Sequence, residues 1–348
     1  MPADFNSIQE AINEAYTGDQ IVVAPETYNE AIDFKGKAIG LYSSGGPEVT
    51  TIDGTGHYHV VQCISGENAG TVLEGFTITG GNANDLFYTA HRIGGGMLNN
   101  GSSPTVTDCN FSNNSASTNG GGMYCDSSSP TVTDCTFSDN TAGDWGGGMC
   151  NANASTPTVT ECNFTHNSAS DGGGLFNVAS NPIVTKCTFT DNPAGLGGGM
   201  YNYDGSSPTV SNCTFTDNAA SSDTYGGGGM FNNTSSNPIV TNCTFTGNTA
   251  ETHGSGMYNS NSSPTVTNCI LWGDWGCPDE IYDGGTSTTT VDYSDVQGGW
   301  LGTGGDNIDA DPVFLDAIGG DLRLCWTSPC YRRRRQQCTG PAGDRPGG

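Results

Sequence analysis

Several groups of residues in this chain have types and spacings that could do chemistry. Asp108, Asp134 and Glu161 recur at even intervals. On successive turns of a repeating structure, Asp108 and Glu161 would stand two strand spacings, about 9.6 Å, apart. That is near the separation of the acid and base in inverting glycosidases. The competing reading makes all three solvated bend residues. Asp139, Asp191 and Asp217 offer oxygen ligands of the kind calcium takes, or are plain exposed turns. Phe87, Tyr88, His91 and Arg92 share an irregular stretch, Asn82–Ile93, that could line a sugar subsite with ring faces and polar tips. Asp53, His57 and His59 lie nearby, and together these polar residues form no recognisable triad. Thr105/Thr107, Thr131/Thr133 and Thr158/Thr160 form Thr-x-Thr pairs. On strands, such pairs make a grid of hydroxyls and methyls of about 6.7 Å by 4.8 Å, a regular flat array that could bind ice. Ile183 and Ile239 interrupt the series, which favours ordinary β-branched strand surface.

Charge narrows the chemistry. The 348 residues include 36 acids and 10 Lys or Arg, a net charge of −26. Five of those bases and one acid follow Tyr331, so 35 acids face five bases before it. Such a surface repels nucleic acids and anionic membranes, which bind through counterion release to basic side chains. Between Arg92 and Arg323 the only base is Lys186. A polyuronate lyase needs a cation to neutralise its substrate and a Lys or Arg to abstract the proton, and these coils hold almost none. No apolar run is long enough to span a membrane.

The elements that must position these residues follow from a repeat. The pattern Pro-(Thr/Ile)-Val-(Thr/Ser)-x-Cys-x-Phe recurs with Pro at 104, 130, 157, 182, 208, 238 and 264. Its Cys falls at 109, 135, 162, 187, 213, 243 and 269, and its Phe at 111, 137, 164, 189, 215 and 245, with Leu271 last. An Asn follows three residues after each Phe, from Asn114 to Asn248, and a Gly-rich element ending in Met or Leu precedes each Pro. A period near 26 is too short for two packed helices, and Gly, Asn and Thr disfavour helix interiors. Three short strands per repeat, one coil of a parallel β-helix, fit instead. Alternation places Val106, Cys109 and Phe111 inside and Thr105, Thr107 and Asn110 outside. It slips by one residue at Asp108, which predicts a left-handed bend there and at Asp134, Glu161, Lys186, Asn212, Asn242 and Asn268. Leu73–Ile78 matches the same register, with Gly75 at the bend, and Ile21–Val23, Ala38–Tyr42 and Val60–Ile64 suggest about three further coils. Ser7 can cap a helix over Ile8–Tyr16 whose apolar face plugs the open end of the core. The seven ladder cysteines lack CxxC or His partners and read as small free thiols in the core; Cys125 and Cys150, facing opposite ways, are not expected to bridge. The nine Asn-x-Ser/Thr sequons follow from composition and carry no glycosylation reading.

The ladder resembles the right-handed parallel β-helix, or pectin-lyase-like, superfamily. GGGM…F(S/T)xN is similar to the repeats of chlamydial polymorphic outer-membrane proteins and of secreted planctomycete-type β-helix proteins. The latter commonly open like Ser7–Ile12 with Val22–Tyr28, and close like Tyr293–Gly299 with Asn307–Pro312. The resemblance covers about residues 4–330. It implies an all-β, single-stranded right-handed parallel β-helix of about 10–12 coils. Residues 1–20 hold the N-terminal capping helix, 21–93 the first coils and the inserted loop, 94–272 seven regular coils, and 273–330 two or three irregular closing strands. Such proteins continue after Ser328-Pro329-Cys330 with Ile-Asp-Ala-Gly-Asp-Asn. Tyr331–Cys338 can be back-translated to that sequence one base out of frame, so 331–348 reads as an out-of-frame tail. The chain opens without a signal peptide, yet its class argues for export to the cell surface or beyond.

This fold hosts lyases, hydrolases, adhesins and fibres, so function is argued from sites. The leading expectation is a non-catalytic surface protein presenting polar ladders to a polysaccharide or cell-surface glycan, with calcium at Asp139, Asp191 and Asp217 and self-association along the rod as accompanying expectations. The alternative is a carbohydrate-active enzyme, a polysaccharide lyase or glycoside hydrolase.

Overall fold

A computed structural model describes residues 5–85, 89–317 and 319–330. Ser7 caps a helix at Ile8–Glu14, its hydroxyl accepting the Glu10 amide at 3.0 Å, and Ile8, Ala11 and Ile12 face the core. The helix stops short of Tyr16. The Lys37 ammonium donates to the carbonyls of Ile12, Asn13 and Ala15 at 2.7–2.8 Å, satisfying the groups a longer helix would have used.

From there the chain winds into three parallel sheets. The Thr sheet has twelve strands, from Gln20–Val23 to Thr303–Gly305; the Phe sheet has eleven, from Thr27–Asn29 to Asp295–Val296; the Met sheet has ten, from Ile32–Asp33 to Ile281–Gly284. Each strand pairs in register with the same strand one coil on, as Thr105, Val106 and Thr107 do with Thr131, Val132 and Thr133. Leu73 and Ile78 occupy the Val106 and Phe111 positions, as expected. Two expectations are corrected. Val60–Ile64 opens no coil of its own, because Val61–Cys63 is a Met-sheet strand. A fourth, two-to-four-residue strand also follows the Asn corner in most coils, as at Ser115–Ala116 and Thr141–Ala142.

The slip residue takes the left-handed conformation throughout: φ is 50° at Asp108, 52° at Asp134, 57° at Glu161 and 55° at Lys186. That half-turn of twist lets Val106, Cys109 and Phe111 all face inward, fully buried. The phenylalanines stack ring on ring, with centroids 4.5–4.9 Å apart from Phe111 to Phe245. Glycine before the Met strand is required by close approach: a Cβ on Gly148 would sit 2.6 Å from the Gly174 carbonyl and 2.9 Å from the Phe164 ring. Among the described residues no cysteines are bonded to each other, and all seven ladder thiols are buried.

Two asparagine rows fill the corners. Asn114, Asn140, Asn167, Asn192, Asn218 and Asn248 are buried, each donating its backbone N–H and Nδ2 to the Oδ1 of the next and its Nδ2 back to a carbonyl such as Phe111 O. Asn151, Asn177, Asn202, Asn232 and Asn259 form a second row on the Met sheet. These polar ladders therefore lie inside the rod, where each amide completes its neighbour.

The C-terminal part is more regular than expected. Ile281–Gly284, Thr290–Asp292, Asp295–Val296 and Thr303–Gly305 all extend the solenoid sheets, and only Phe314–Asp316 and Asp321–Leu324 leave it, as an antiparallel pair. The tail reading for 331–348 lies outside the described residues.

Candidate functional site

Residues that depart from the repeat collect on one ledge, the loop between the Asn corner and the Met strand. It runs from Asn167 to Gly172 in one coil, from Asn218 to Gly227 in another and from Gly81 to Gly94 at the insert. In the seven regular coils the turn after the Met strand changes by a single residue only, so there the larger length changes fall on this ledge; the N-terminal coils also lengthen the segments between Ser43 and Thr51 and between Cys63 and Val72. In solenoids such insertions gather on one face, often the binding face. Successive ledge loops stack as rungs, Ile93 on Asn119, Trp145, Asp171 and Leu196.

The ledge covers the outer face of the Met sheet. There the position after each Met points outward and carries Leu98, Tyr124, Cys150, Phe176, Tyr201, Phe231 and Tyr258, all nearly buried beneath the loops. The result is a second, aromatic layer outside the main core. Trp145 stacks on Phe176 at 5.0 Å and 9°, Tyr201 meets Phe231 at 4.6 Å, and Tyr258 stacks on Tyr282 at 5.2 Å and 5°. His253 lies flat on Tyr282 at 4.1 Å. Outermost on the same ledge are Tyr225, 42% exposed, and Trp275, 68% exposed.

At its N-terminal end the ledge gathers a polar cluster. The His91 Nδ1 lies 3.0 Å from Asp85 Oδ2, and the Tyr58 ring stacks on His91 at 4.4 Å and 12°. The Tyr58 hydroxyl is also bonded to Asp85, and that bond together with the carboxylate's charge raises the phenol. His59 is buried with its Nδ1 2.9 Å from the Gly94 carbonyl, and Arg92 donates to Ser117 Oγ at 3.1 Å. The structure thus brings His59, His91 and Arg92 together and adds Tyr58 and Asp85. It leaves out Asp53, whose Oδ1 accepts the nearby Thr55 amide, and the exposed His57. Phe87 and Tyr88 lie outside the described residues.

The other candidates sit elsewhere on the coil. Asp139, Asp191 and Asp217 are exposed corner residues with φ of 55°, 52° and 56°. His166 occupies the same corner between Asp139 and Asp191, with its Nε2 3.7 Å from Asp191 Oδ2. Partial burial, then Asp191, raises Asp217. Among the described residues no three His, Cys, Asp or Glu converge as metal ligands would. Asp108, Asp134 and Glu161 are exposed at the first bend, and the Lys186 ammonium, 2.7 Å away, holds Glu161 below the usual carboxylate range. Thr105, Thr131 and Thr158 align across coils, as do Thr107, Thr133 and Thr160, with Ile183 and Ile239 half exposed in the same series. No helix among the described residues is long and apolar enough to cross a membrane.

The sequence profile of the family described as the right handed beta helix region matches residues 25–182 and 144–294. A search of curated proteins gives no match. Similar solved structures include a tailspike protein of Acinetobacter baumannii bacteriophage Fri1, a capsular polysaccharide depolymerase, at 12% identity and a TM-score of 0.47; the match covers 91% of this chain and 60% of that one. The receptor binding domain of the siphovirus 9NA tailspike matches at 10% identity and TM-score 0.27, over 89% of this chain and 76% of its own. A pectin methylesterase in complex with a hexasaccharide matches at 10% and 0.28, over 92% and 91%. The chain therefore spans 60% of the first tailspike's length, less than two thirds.

Proposed function

The chain belongs to the right-handed parallel β-helix family, and on that scaffold we propose an exported surface rod that binds glycan along its ledge. One observation carries this reading. The repeat is strict in the core, yet between residues 94 and 271 the aromatic side chains outside the Phe row assemble on a single face. Flat rings such as Trp275 and Tyr225 stack on the apolar faces of sugars, and the polar residues beside them take up hydroxyls. The buried ladder thiols suit an oxidising exterior, since access governs thiol oxidation. The test is binding of neutral oligosaccharides by calorimetry, with Trp275→Ala and Tyr225→Ala. Each substitution should weaken binding about 2- to 12-fold, the value of one aromatic contact. Binding that survives both would remove the ledge as the site.

The carbohydrate-active enzyme remains as a second reading because Asp85 bonds the His91 imidazole, as orienting carboxylates do in acid–base sites. Release of reducing ends that disappears in Asp85→Asn would support it; release indifferent to that change would not.

A further inference from the structure

We infer that the glycan taken by the ledge carries one acidic group, a carboxylate or a sulfate ester, on an otherwise neutral chain, and that the Arg92 guanidinium receives it. This rests on the glycan reading above and narrows its ligand. Before Tyr331 five bases face 35 acids, and four of the five are occupied by the fold. Lys35 donates to Asn13 Oδ1 at 2.8 Å, and Lys37 closes the N-terminal helix on three carbonyls. Lys186 pairs with Glu161 at 2.7 Å, and Arg323 grips Asp321 through Nε and Nη2 at 2.8 and 2.6 Å. Arg92 is the exception. It ends the 3-10 turn Thr89–Arg92 and lies half-buried on the ledge. Its Nε donates to Ser117 Oγ at 3.1 Å, but among the described residues neither Nη reaches an acceptor and no carboxylate pairs with it. Thr118 fixes its backbone, donating N–H and hydroxyl to the Arg92 carbonyl at 3.0 and 2.8 Å. The acid of the same insert, Asp85, is engaged by His91 at 3.0 Å and by the Tyr58 hydroxyl.

A guanidinium held through Nε presents its two Nη groups as a fork, which matches a pair of oxygens on a carboxylate or a sulfate. The ledge limits the ligand to one such group. The rungs run from Ile93, the residue after Arg92, through Asn119 to Trp145 and then Asp171. The exposed Asp144 precedes Trp145 in the chain, so carboxylates begin about 9.6 Å along the rod, two strand spacings away. Asp223 and Glu251 are exposed further along the same ledge. A polyuronate is therefore repelled along most of its length, whereas a neutral chain with a single acid meets opposite charge at Arg92 and no repulsion beyond it. A chain with no acid leaves the fork to water.

The probes are the hexamers of glucose and of N-acetylglucosamine in β-1,4 linkage, each neutral, with its terminal C6 oxidised to a carboxylate, or with that position sulfated. Hexagalacturonate is the polyanion, and all are titrated into the full chain by calorimetry. On the backbone that binds, one acid-ended form should bind at least about tenfold more tightly than its neutral parent, the range of a hydrogen bond to a charged group. Which form gains tells carboxylate from sulfate, and hexagalacturonate should bind more weakly than either. Arg92→Gln should erase the gain and leave the neutral parent unchanged. Arg92→Lys keeps the charge without the fork, should retain only part of the gain, and carries the test if the glutamine variant does not fold. Lys186→Gln removes the same charge at a distant bend and should alter nothing. Equal binding of acid-ended and neutral probes would overturn the inference, as would a gain that survives Arg92→Gln, tightest binding of hexagalacturonate, or an equal loss in Lys186→Gln, which would mean diffuse charge and no site. Should a neutral hexamer bind and respond to Tyr225→Ala with no gain from the acid, the glycan reading stands and this one falls. If no probe binds, both fall.

Discussion

The carboxyl pair that ends the first asparagine row has a pH dependence whose sign can be worked out. Asp274 takes the place of the next asparagine: its Oδ1 accepts the Asn248 backbone N–H at 2.7 Å and Nδ2 at 3.0 Å. Its Oδ2 and the Glu280 Oε2 are buried without a donor, and both converge on Gly256, where a Cβ would meet them at 2.6 and 3.3 Å. Desolvation raises both carboxyls, and the Glu280 charge raises Asp274 further. One shared proton converts two opposed acceptors into a hydrogen bond. The folded chain therefore holds that proton more tightly than the unfolded chain, whose carboxyls titrate near about 4. The stabilisation is fully present below that pH and is lost as pH rises through the raised folded values, at about 1.4 kcal/mol per unit of displacement. Asp274→Asn keeps an oxygen for Asn248 and brings a permanent donor toward Glu280. At pH 8 the variant should hold its last coils more firmly by about 1–3 kcal/mol, the cost of a buried group left unsatisfied, and the gain should vanish toward pH 4. Solenoid stability is local, so the assay is hydrogen exchange of peptides covering Trp272–Val296. Exchange at pH 8 should slow by about 5- to 150-fold. Equal exchange in the two proteins at pH 8, or a difference that persists unchanged at pH 4, would refute the shared proton.

Two further outcomes test the core. Phe189 is fully buried between Phe164 at 4.8 Å and Phe215 at 4.7 Å, so Phe189→Ala should cost about 3–5 kcal/mol in denaturant unfolding; an unchanged midpoint would contradict the facing of that row. The ladder thiols should label slowly in the native state and rapidly once unfolded, because burial hides them and raises the Cys135 thiol; fast native labelling of all seven would contradict their burial.

The fold was legible because each coil repeats the same decisions. Val106, Cys109 and Phe111 announce the core by period-2 alternation, and the one-residue slip at Asp108 announces a bend that recurs as a left-handed residue in every regular coil. The ledge was not legible by the same means. Its outward position varies freely from Leu98 through Cys150 to Phe176, and alternation assigns that face to solvent when loops in fact cover it. Tyr58 and Asp85 come from different coils and meet at His91 only because the insert folds back over the Met sheet. The available signal was length: Gly81–Gly94 and Asn218–Gly227 stretch the same segment of the repeat, and stretched segments stack on one side of a solenoid.

The asparagine rows show how a rod of this kind encodes its own end. Every amide in the first row donates toward the next coil and accepts from the previous one, so the row has a direction, and the last member needs an acceptor but has no further asparagine to donate to. A carboxylate meets that need, and both rows change from Asn to Asp where they stop, at Asp274 and Asp283. The two ends differ in how the carboxylate is satisfied. Asp283 accepts from Asn259, from the Thr289 amide at 2.8 Å and from the Thr289 hydroxyl, so its ionised form is fully bonded. Asp274 has only Asn248 and faces another acid. The strand holding Asp283 is also the last of the Met sheet. An Asn-to-Asp change in a ladder position is therefore a sequence sign that a stacked row is finishing. Its physical cause is plain at Asp283, where donors reach both oxygens and an amide would be left holding unpaired hydrogens; at Asp274 the facing Glu280 reverses that preference once both carboxyls ionise.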